Sequence, residues 1–344
     1  MKLKAPKKGI DWAALGFGYS KTNCHIVYTW KNGNWSKPKF VKDPFITMHI
    51  GASCLHYGQE CFEGMKAFRQ KSGKIVIFRP DENGKRMYRT AERTVMPPVP
   101  VKMYIDAAVQ LVKRNSEYVP PYGTGGSMYL RPLLIGTGPQ IGVAPAHEYT
   151  FIMMCMPVSA YYKGGMKPVR SVILDDWDRA APHGMGDVKV GGNYAASLFA
   201  HEKAKRAGWP VELYLDAKTH KYVEEFSTSN FCGITRAGAY VTPDSCSVLP
   251  SVTNLSLRQA AKDMGIKVEM RKIPYTELRK FKEIGALGTA VVITPVWEIT
   301  RGKDVIKVSD PDRPGPVLKK LYDRIQAIQY GLIPDRHHWC YEVK

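Results

Sequence analysis

Apolar and polar positions along the chain change period several times, and each change predicts an element. Around the Asn32-Gly33-Asn34 turn, two short strand-like pieces, His25 to Trp30 and Trp35 to Val41, predict a hairpin. Residues 54–70 predict a short helix feeding a strand, and Lys74 to Arg79 returns as a second strand after Lys71-Ser72-Gly73. Asp81 to Arg93 is polar with helical spacing. In the next segment Tyr104, Ile105, Ala108, Leu111 and Val112 recur every three or four residues, an amphipathic helix. Ser127 to Ile135 is a strand, and Tyr149 to Val158 is a nearly unbroken apolar run that predicts a strand buried on both faces. At Ser159 the chemistry shifts abruptly to a loop rich in Gly, Tyr and Lys, ending at Lys167-Pro168, and a domain boundary is placed there.

The second half opens with a strand from Val169 to Leu174, and a helix is expected from about Tyr194 to Ala207. Glu212 to Asp216 and Tyr222 to Glu225 flank a turn as a hairpin, followed by strands Phe231 to Ile234 and Ala239 to Thr242. A helix starts near Val252 and stops at Gly265. Ile284 to Pro295 is a second buried apolar stretch, and a last helix buries Val317, Leu318, Leu321, Tyr322, Ile325 and Ile328 before Gly331. At 344 residues the chain is too long for one simple core, so two domains are expected, of α/β (α+β) class. Their expected bounds are a smaller N-terminal domain over 1–157, a connecting loop over 158–168 and a larger domain over 169–344.

Composition narrows the class. No run approaches the roughly 18 apolar residues of a membrane span, and the basic start Met1-Lys2-Leu3-Lys4 lacks the apolar core of a secretory signal. Seven scattered cysteines without a Cys-x-x-Cys pair argue against a disulfide framework or zinc site, so a cytoplasmic protein without a metal is expected. Lys and Arg total 50 against 31 acidic residues, a formal charge of +19. Such a charge suits nucleic acid or small anions. The even spread of the basic residues, without a basic tail or nucleic-acid motif, favours small anionic molecules.

Motifs exclude several chemistries. Gly136-Thr137-Gly138-Pro139-Gln140-Ile141-Gly142 misses the dinucleotide fingerprint by one residue, with a proline where a helix should begin. There is no P-loop, no His-Glu-x-x-His and no nucleophile elbow. The stretch that stands out is Gly186-Asp187-Val188-Lys189-Val190-Gly191-Gly192-Asn193-Tyr194. A lysine in apolar company loses its proton readily, and glycines let backbone crowd a ligand. On the strand Ser127 to Ile135, period two puts Tyr129 and Arg131 on one face. Two readings of Arg131 stand at this point: a fork for a carboxylate, or a surface arginine on an edge strand.

Pyridoxal 5'-phosphate asks a protein for a lysine, an acid beside its ring nitrogen, an anion pocket for its phosphate and a donor to its ring oxygen. The chain offers Lys189, then Glu225, then Arg86 with the helix start at Val252-Thr253, and finally Tyr194. Free amides at that helix start suit an anion.

The chain resembles the branched-chain amino acid aminotransferases of the class IV pyridoxal-phosphate family from Phe17 to Glu342. The likeness is strongest over residues 55–69, over Tyr129 to Gly136 and over Lys189-Val190-Gly191-Gly192-Asn193-Tyr194. Glu224-Glu225-Phe226-Ser227-Thr228-Ser229-Asn230-Phe231 and Gly288-Thr289-Ala290 add two further pieces. The resemblance implies the D-amino acid aminotransferase-like fold, fold type IV, in two domains, and a homodimer whose cleft is completed by the neighbouring chain. It implies ping-pong transfer of an amino group from L-leucine, L-isoleucine or L-valine to 2-oxoglutarate, giving L-glutamate. Lys189 would carry the cofactor and shuttle a proton, Glu225 would pair with the ring nitrogen, and Tyr194 would meet the ring oxygen. Arg86, Arg179, Val252, Thr253 and Thr289 would hold the phosphate, and the Thr289-Ala290 amides would also face the substrate α-carboxylate. Phe17, Tyr57, Phe62 and Tyr129 would wall the side-chain pocket, with Thr228 in its lining, and Arg131 would take the distal carboxylate of glutamate. One departure is visible: some relatives carry Cys-x-x-Cys after the Gly-Thr-Ala turn, where this chain has Val291-Val292-Ile293-Thr294.

Overall fold

In the computed structural model, which describes residues 2–159 and 165–344, the long hairpin Ser127–Gly136 with Glu148–Val158 is the spine of the first of two units. Its ladder runs without a slip from Ser127↔Val158 to Gly136↔Tyr149. Such a register holds because a one-residue shift would turn every buried side chain to the wrong face. Met128, Leu130 and Leu134 are wholly buried, as the two-sided pattern of these strands requires. The sheet reads Cys340–Glu342, Ile75–Phe78, Met65–Arg69, Ser127–Gly136, Glu148–Val158, His25–Lys31, Asn34–Trp35, all antiparallel. Lys39–Val41 joins beside His25–Lys31, and Glu60–Phe62 beside Ser127–Gly136.

Helices Pro80–Arg93 and Val101–Arg114 pack on each other, and the second lies on Glu148–Val158. Tyr104, Ala108, Leu111 and Val112 are fully buried, and Tyr104 stacks on Phe151 at 6.2 Å. Of the five positions read as the helix's apolar stripe, only Ile105 stays partly exposed.

The second unit is built on a sheet ordered Val223–Phe226, Val211–Leu215, Val169–Ile173, Val292–Arg301, Phe281–Gly288, Ser229–Thr235, Tyr240–Pro243, Val268–Arg271. Because Val223–Phe226 also pairs with Ser229–Thr235, six of these strands close into a ring. Closure leaves edges only on the strands that extend from the ring, such as Val268–Arg271. Inside sit Leu213, Phe226, Phe231, Phe281, Ile284, Val296 and Ile299. Pairing is mixed: Val169–Ile173 runs parallel to both neighbours, and Tyr240–Pro243 runs parallel to Val268–Arg271.

The expected α/β class holds, and several local expectations are refined. The apolar stretch from Ile284 to Pro295 is two strands, because the chain turns at Thr289–Val291. The helix expected from Tyr194 to Ala207 is broken into Gly191–Ala195 and Leu198–Arg206. Three strands carry no pattern that was read: Val268–Arg271, Asp304–Lys307 and Cys340–Glu342. Among the described residues, one unit comprises 2–159, Lys189–Gly191 and Ala327–Lys344, and the other comprises 165–188 with Gly192–Gln326. The C-terminal residues, grouped by sequence with the second domain, thus pair into the first sheet through Cys340–Glu342 against Ile75–Phe78. In the connecting loop expected over 158–168, residues 160–164 lie outside the described residues.

Candidate active site

Lys189 belongs to a three-residue segment, Lys189–Gly191, that groups with the first unit, whereas Val188 and Gly192 group with the second. Backbone bonds fasten it there. The Lys189 N–H donates to Thr90 Oγ1 at 3.2 Å, and its carbonyl accepts from the Phe62 N–H at 3.1 Å. The Gly191 N–H donates to the Glu60 carboxylate. A Cβ at position 191 would strike that same carboxylate, which explains the glycine by close approach. At Gly192 a Cβ would meet nothing within 4 Å.

The Lys189 ammonium lies over the Phe62 ring, 4.5 Å from its centre, and the Arg131 guanidinium lies 5.0 Å from the same centre. Arg131 donates to the Tyr129 hydroxyl at 3.2 Å, and Phe17 meets Tyr129 edge-on at 5.7 Å. A Cβ at Gly64 would collide with the Tyr129 hydroxyl, so Gly64 makes room for it. Phe17, Phe62, Tyr129, Arg131 and Lys189 are therefore one cluster. Tyr57 is not among them: it is exposed and donates to the Ile141 carbonyl.

Arg86 is buried against Glu63, with Nε–Oε1 at 2.6 Å and Nη2–Oε2 at 2.8 Å. Asn83 Nδ2 adds a bond to Oε2 at 2.7 Å. Burial alone would push the Glu63 carboxyl up. Arg86, Lys189 and Asn83 outweigh it and hold the group below the ordinary carboxylate value.

Glu60, Glu63 and Lys66 on this side escaped the sequence reading. Lys66 is opposite Tyr129 in the ladder and so shares its face, and burial lowers its amine to about 8. The signal was present in the period of the strands but needed the register to be read.

Within the second unit, Glu225 faces Asn230 across the tight turn between Val223–Phe226 and Ser229–Thr235. Its Oε1 takes the Leu249 N–H at 2.9 Å and lies 3.0 Å from Arg179 Nη2, while Oε2 takes Asn230 Nδ2 at 2.7 Å. Burial pushes the Glu225 carboxyl up, and Arg179, the Leu249 amide and Asn230 pull against it without cancelling it. Arg179 also donates to the carbonyls of Gly186, at 2.9 Å, and Ser247.

Helix Val252–Asp263 is capped by Ser251, whose Oγ accepts from the Asn254 N–H at 3.1 Å. The first backbone bond back to the cap is Leu255 N–H to Ser251 O, so the Val252 and Thr253 amides precede the intrahelical ladder. The Thr228 and Thr289 turns are adjacent: a Cβ at Gly288 would lie 3.4 Å from Ser229 Oγ and 3.9 Å from Thr228 O. Ala290 is in the same turn, which ends at Val292 with φ of 67°, a value a β-branched residue rarely adopts. Its partner Gly288 holds it in the ladder. Tyr194 follows Asn193 on the short helix, and Asn193 Nδ2 ties that helix to the carbonyls of Met185 at 2.7 Å and Val188 at 3.0 Å. Asn193 is a further residue the sequence reading left without a role.

The residues fit pyridoxal phosphate on their own chemistry. Arg179 Nε is buried without a hydrogen-bond partner, a costly state that an anion relieves. Within the second unit Glu225 is a buried carboxylate beside a capped helix start, and the first unit by itself carries a lysine on an aromatic face. Among the described residues no group of three His, Cys, Asp or Glu could hold a metal ion.

The amino-transferase class IV model matches residues 60–299. The chain belongs to that family and is a transaminase. It is 45% identical over 343 residues to the branched-chain-amino-acid aminotransferase of Haemophilus influenzae, covering 98% of this chain and 100% of that one. To the enzyme of that name from Helicobacter pylori it is 46% identical over 338 residues, 98% of each chain. A solved structure of the T.th. branched-chain amino acid aminotransferase with pyridoxamine 5'-phosphate superimposes with a TM-score of 0.79 at 25% identity. The match covers 94% of this chain and 100% of that one.

Proposed function

We infer that the chain is a branched-chain amino acid aminotransferase, moving the amino group of L-leucine, L-isoleucine or L-valine to 2-oxoglutarate in two half-reactions. The observation that carries this reading is the shared Phe62 ring, with Lys189 on it at 4.5 Å and Arg131 at 5.0 Å. A substrate whose α-amino group reaches Lys189 has its side chain among Phe17, Phe62 and Tyr129, apolar enough for leucine, beside a guanidinium that can grip a second carboxylate.

When bound, pyridoxal phosphate supplies the carbonyl that exchanges with the amino group and a ring that accepts the electron pair left at Cα. Lys189 Nζ holds the cofactor and then moves the proton at Cα. Glu225, fixed by Leu249 and Asn230, keeps a proton at the ring nitrogen. Tyr194 donates to the ring oxygen. Arg86, Arg179, the Val252 and Thr253 amides and Thr289 would hold the phosphate. The amides of Thr289 and Ala290 orient the α-carboxylate, and Thr228 lines the pocket. Tyr57 has a different place: it stands in an exposed apolar patch with Ile50, Leu55, Ile141 and Val143. The Gln140 N–H to Gly51 carbonyl bond ties the patch's two loops together. A patch of this kind suits a second copy of the chain, through which Tyr57 would serve the neighbouring pocket. Among the described residues no helix is long and apolar enough to cross a membrane, and we place the enzyme in the cytoplasm, free of nucleic acid.

Arg131→Met tests the reading. Losing a charge-assisted fork is worth about 1.5–3 kcal/mol, so the KM for 2-oxoglutarate should rise about tenfold to hundredfold while that for leucine stays within a few-fold. Equal loss for both substrates would refute it.

A further inference from the structure

Arg131 must serve two kinds of side chain, and an isolated guanidinium facing leucine in an apolar pocket is costly. The first unit holds a carboxylate placed to answer this. Glu60 opens the strand Glu60–Phe62, which pairs with Ser127–Gly136 so that Glu60 lies opposite Ile135 and Phe62 opposite Leu133. Positions 129, 131, 133 and 135 share one face of that strand, and opposed residues share a face, so Glu60, Phe62, Tyr129 and Arg131 stand on the same side. Glu60 is partly buried, and its carboxylate takes the Gly191 N–H, two residues beyond Lys189. Burial pushes its carboxyl up, while the Gly191 amide and the charge of Arg131 favour the ionised form. The two side chains do not touch: Arg131 donates to Tyr129, and its Nε has no partner.

We propose that Glu60 is a positioning residue that sets the balance between the two substrate classes, anchoring Lys189–Gly191 through the Gly191 amide and giving Arg131 a counter-charge when an apolar side chain fills the pocket. The proposal rests on the reading of Arg131 as receiver of the distal carboxylate. Its consequence is a trade. The negative charge makes the pocket tolerable for leucine and weakens its grip on glutamate and 2-oxoglutarate.

Glu60→Gln isolates the charge, since the amide oxygen still accepts from Gly191. With the cofactor-loaded enzyme, the KM for 2-oxoglutarate and for glutamate should fall on the order of tenfold, and the KM for leucine should rise. Glu60→Asp, which keeps the charge, should hold the ratio near that of the parent. If E60Q does not accumulate as folded protein, Glu60→Asn set against Glu60→Asp carries the same comparison, since the two side chains match in length and differ only in charge. KM values that move together for both classes, or a change confined to kcat, overturn the proposal even where Arg131→Met behaves as stated above. If Arg131→Met leaves 2-oxoglutarate unaffected, the reading of Arg131 fails first and this proposal falls with it.

Discussion

Glu63 is the residue on which the first half of the site depends most for its shape. It is 0% exposed, accepts from both Arg86 and Asn83, and feels the charge of Lys189. Breaking a buried ion pair by removing one partner costs about 3–5 kcal/mol, because the other charge is left without an answer. Glu63→Ala should lower stability by that amount in denaturant unfolding. The pH dependence has a definite sign. The folded carboxyl titrates below its unfolded value of about 4.3, so its contribution is complete above that pH. It is lost as pH falls through the folded value. Part of the acid sensitivity of the parent should therefore vanish in the variant; unaltered stability and an unaltered acid profile would show that the pair is not formed. At this scale the sequence was partly legible. Lys189 was marked by its glycine neighbours, whose chemistry is local, and Glu225 by the acid that the cofactor's ring nitrogen asks for. Glu60 and Glu63 sit three apart in a motif that was read as a whole. Only the ladder opposite Ser127–Gly136 and the helix Pro80–Arg93 reveal that one faces Arg131's side of the sheet and the other Arg86.

Elements place these residues by their ends. Helix Val252–Asp263 starts where Ser251 Oγ binds the Asn254 amide, which leaves the Val252 and Thr253 amides for an anion. Ser251→Ala should cost about 1 kcal/mol of stability and weaken pyridoxal-phosphate affinity several-fold, read by cofactor titration; unchanged affinity would remove this helix start from the phosphate site. Element ends were the hardest to read in advance. The run from Ile284 to Pro295 is interrupted only briefly, at Gly288-Thr289, and both strands it contains are mostly buried, so its pattern reads as one stretch. The resemblance alone pointed to a Gly-Thr-Ala turn there, and the backbone at Val292 shows where it ends. The split of Gly191–Ala195 from Leu198–Arg206 is equally silent in the pattern, since Ala195, Ala196 and Ser197 are ordinary helix residues.

For the molecule as a whole, long-range pairing is what the pattern could not supply. Closing six strands into a ring requires Val223–Phe226 to pair on both edges, and adding Cys340–Glu342 to the first sheet joins residues more than 250 positions apart. Composition, by contrast, carried the class, and the resemblance carried the function. The exposed patch supports a homodimer. Val143 is 87% exposed, so Val143→Glu should leave the fold's stability unchanged. If the patch is the interface, light scattering will find the parent at twice the 38.6 kDa chain mass and the variant at that mass; a parent that is itself monomeric would remove the patch from the account.

The central claim is that Lys189, standing on the ring that also bears Arg131, works a bound pyridoxal phosphate against branched-chain amino acids. Adding L-leucine to the cofactor-loaded protein and following its near-visible absorption tests this most directly. The account predicts loss of the yellow band, its return on adding 2-oxoglutarate, and neither change in Lys189→Ala. A parent protein that fails to take up pyridoxal phosphate, or a yellow band that leucine leaves untouched, would contradict it.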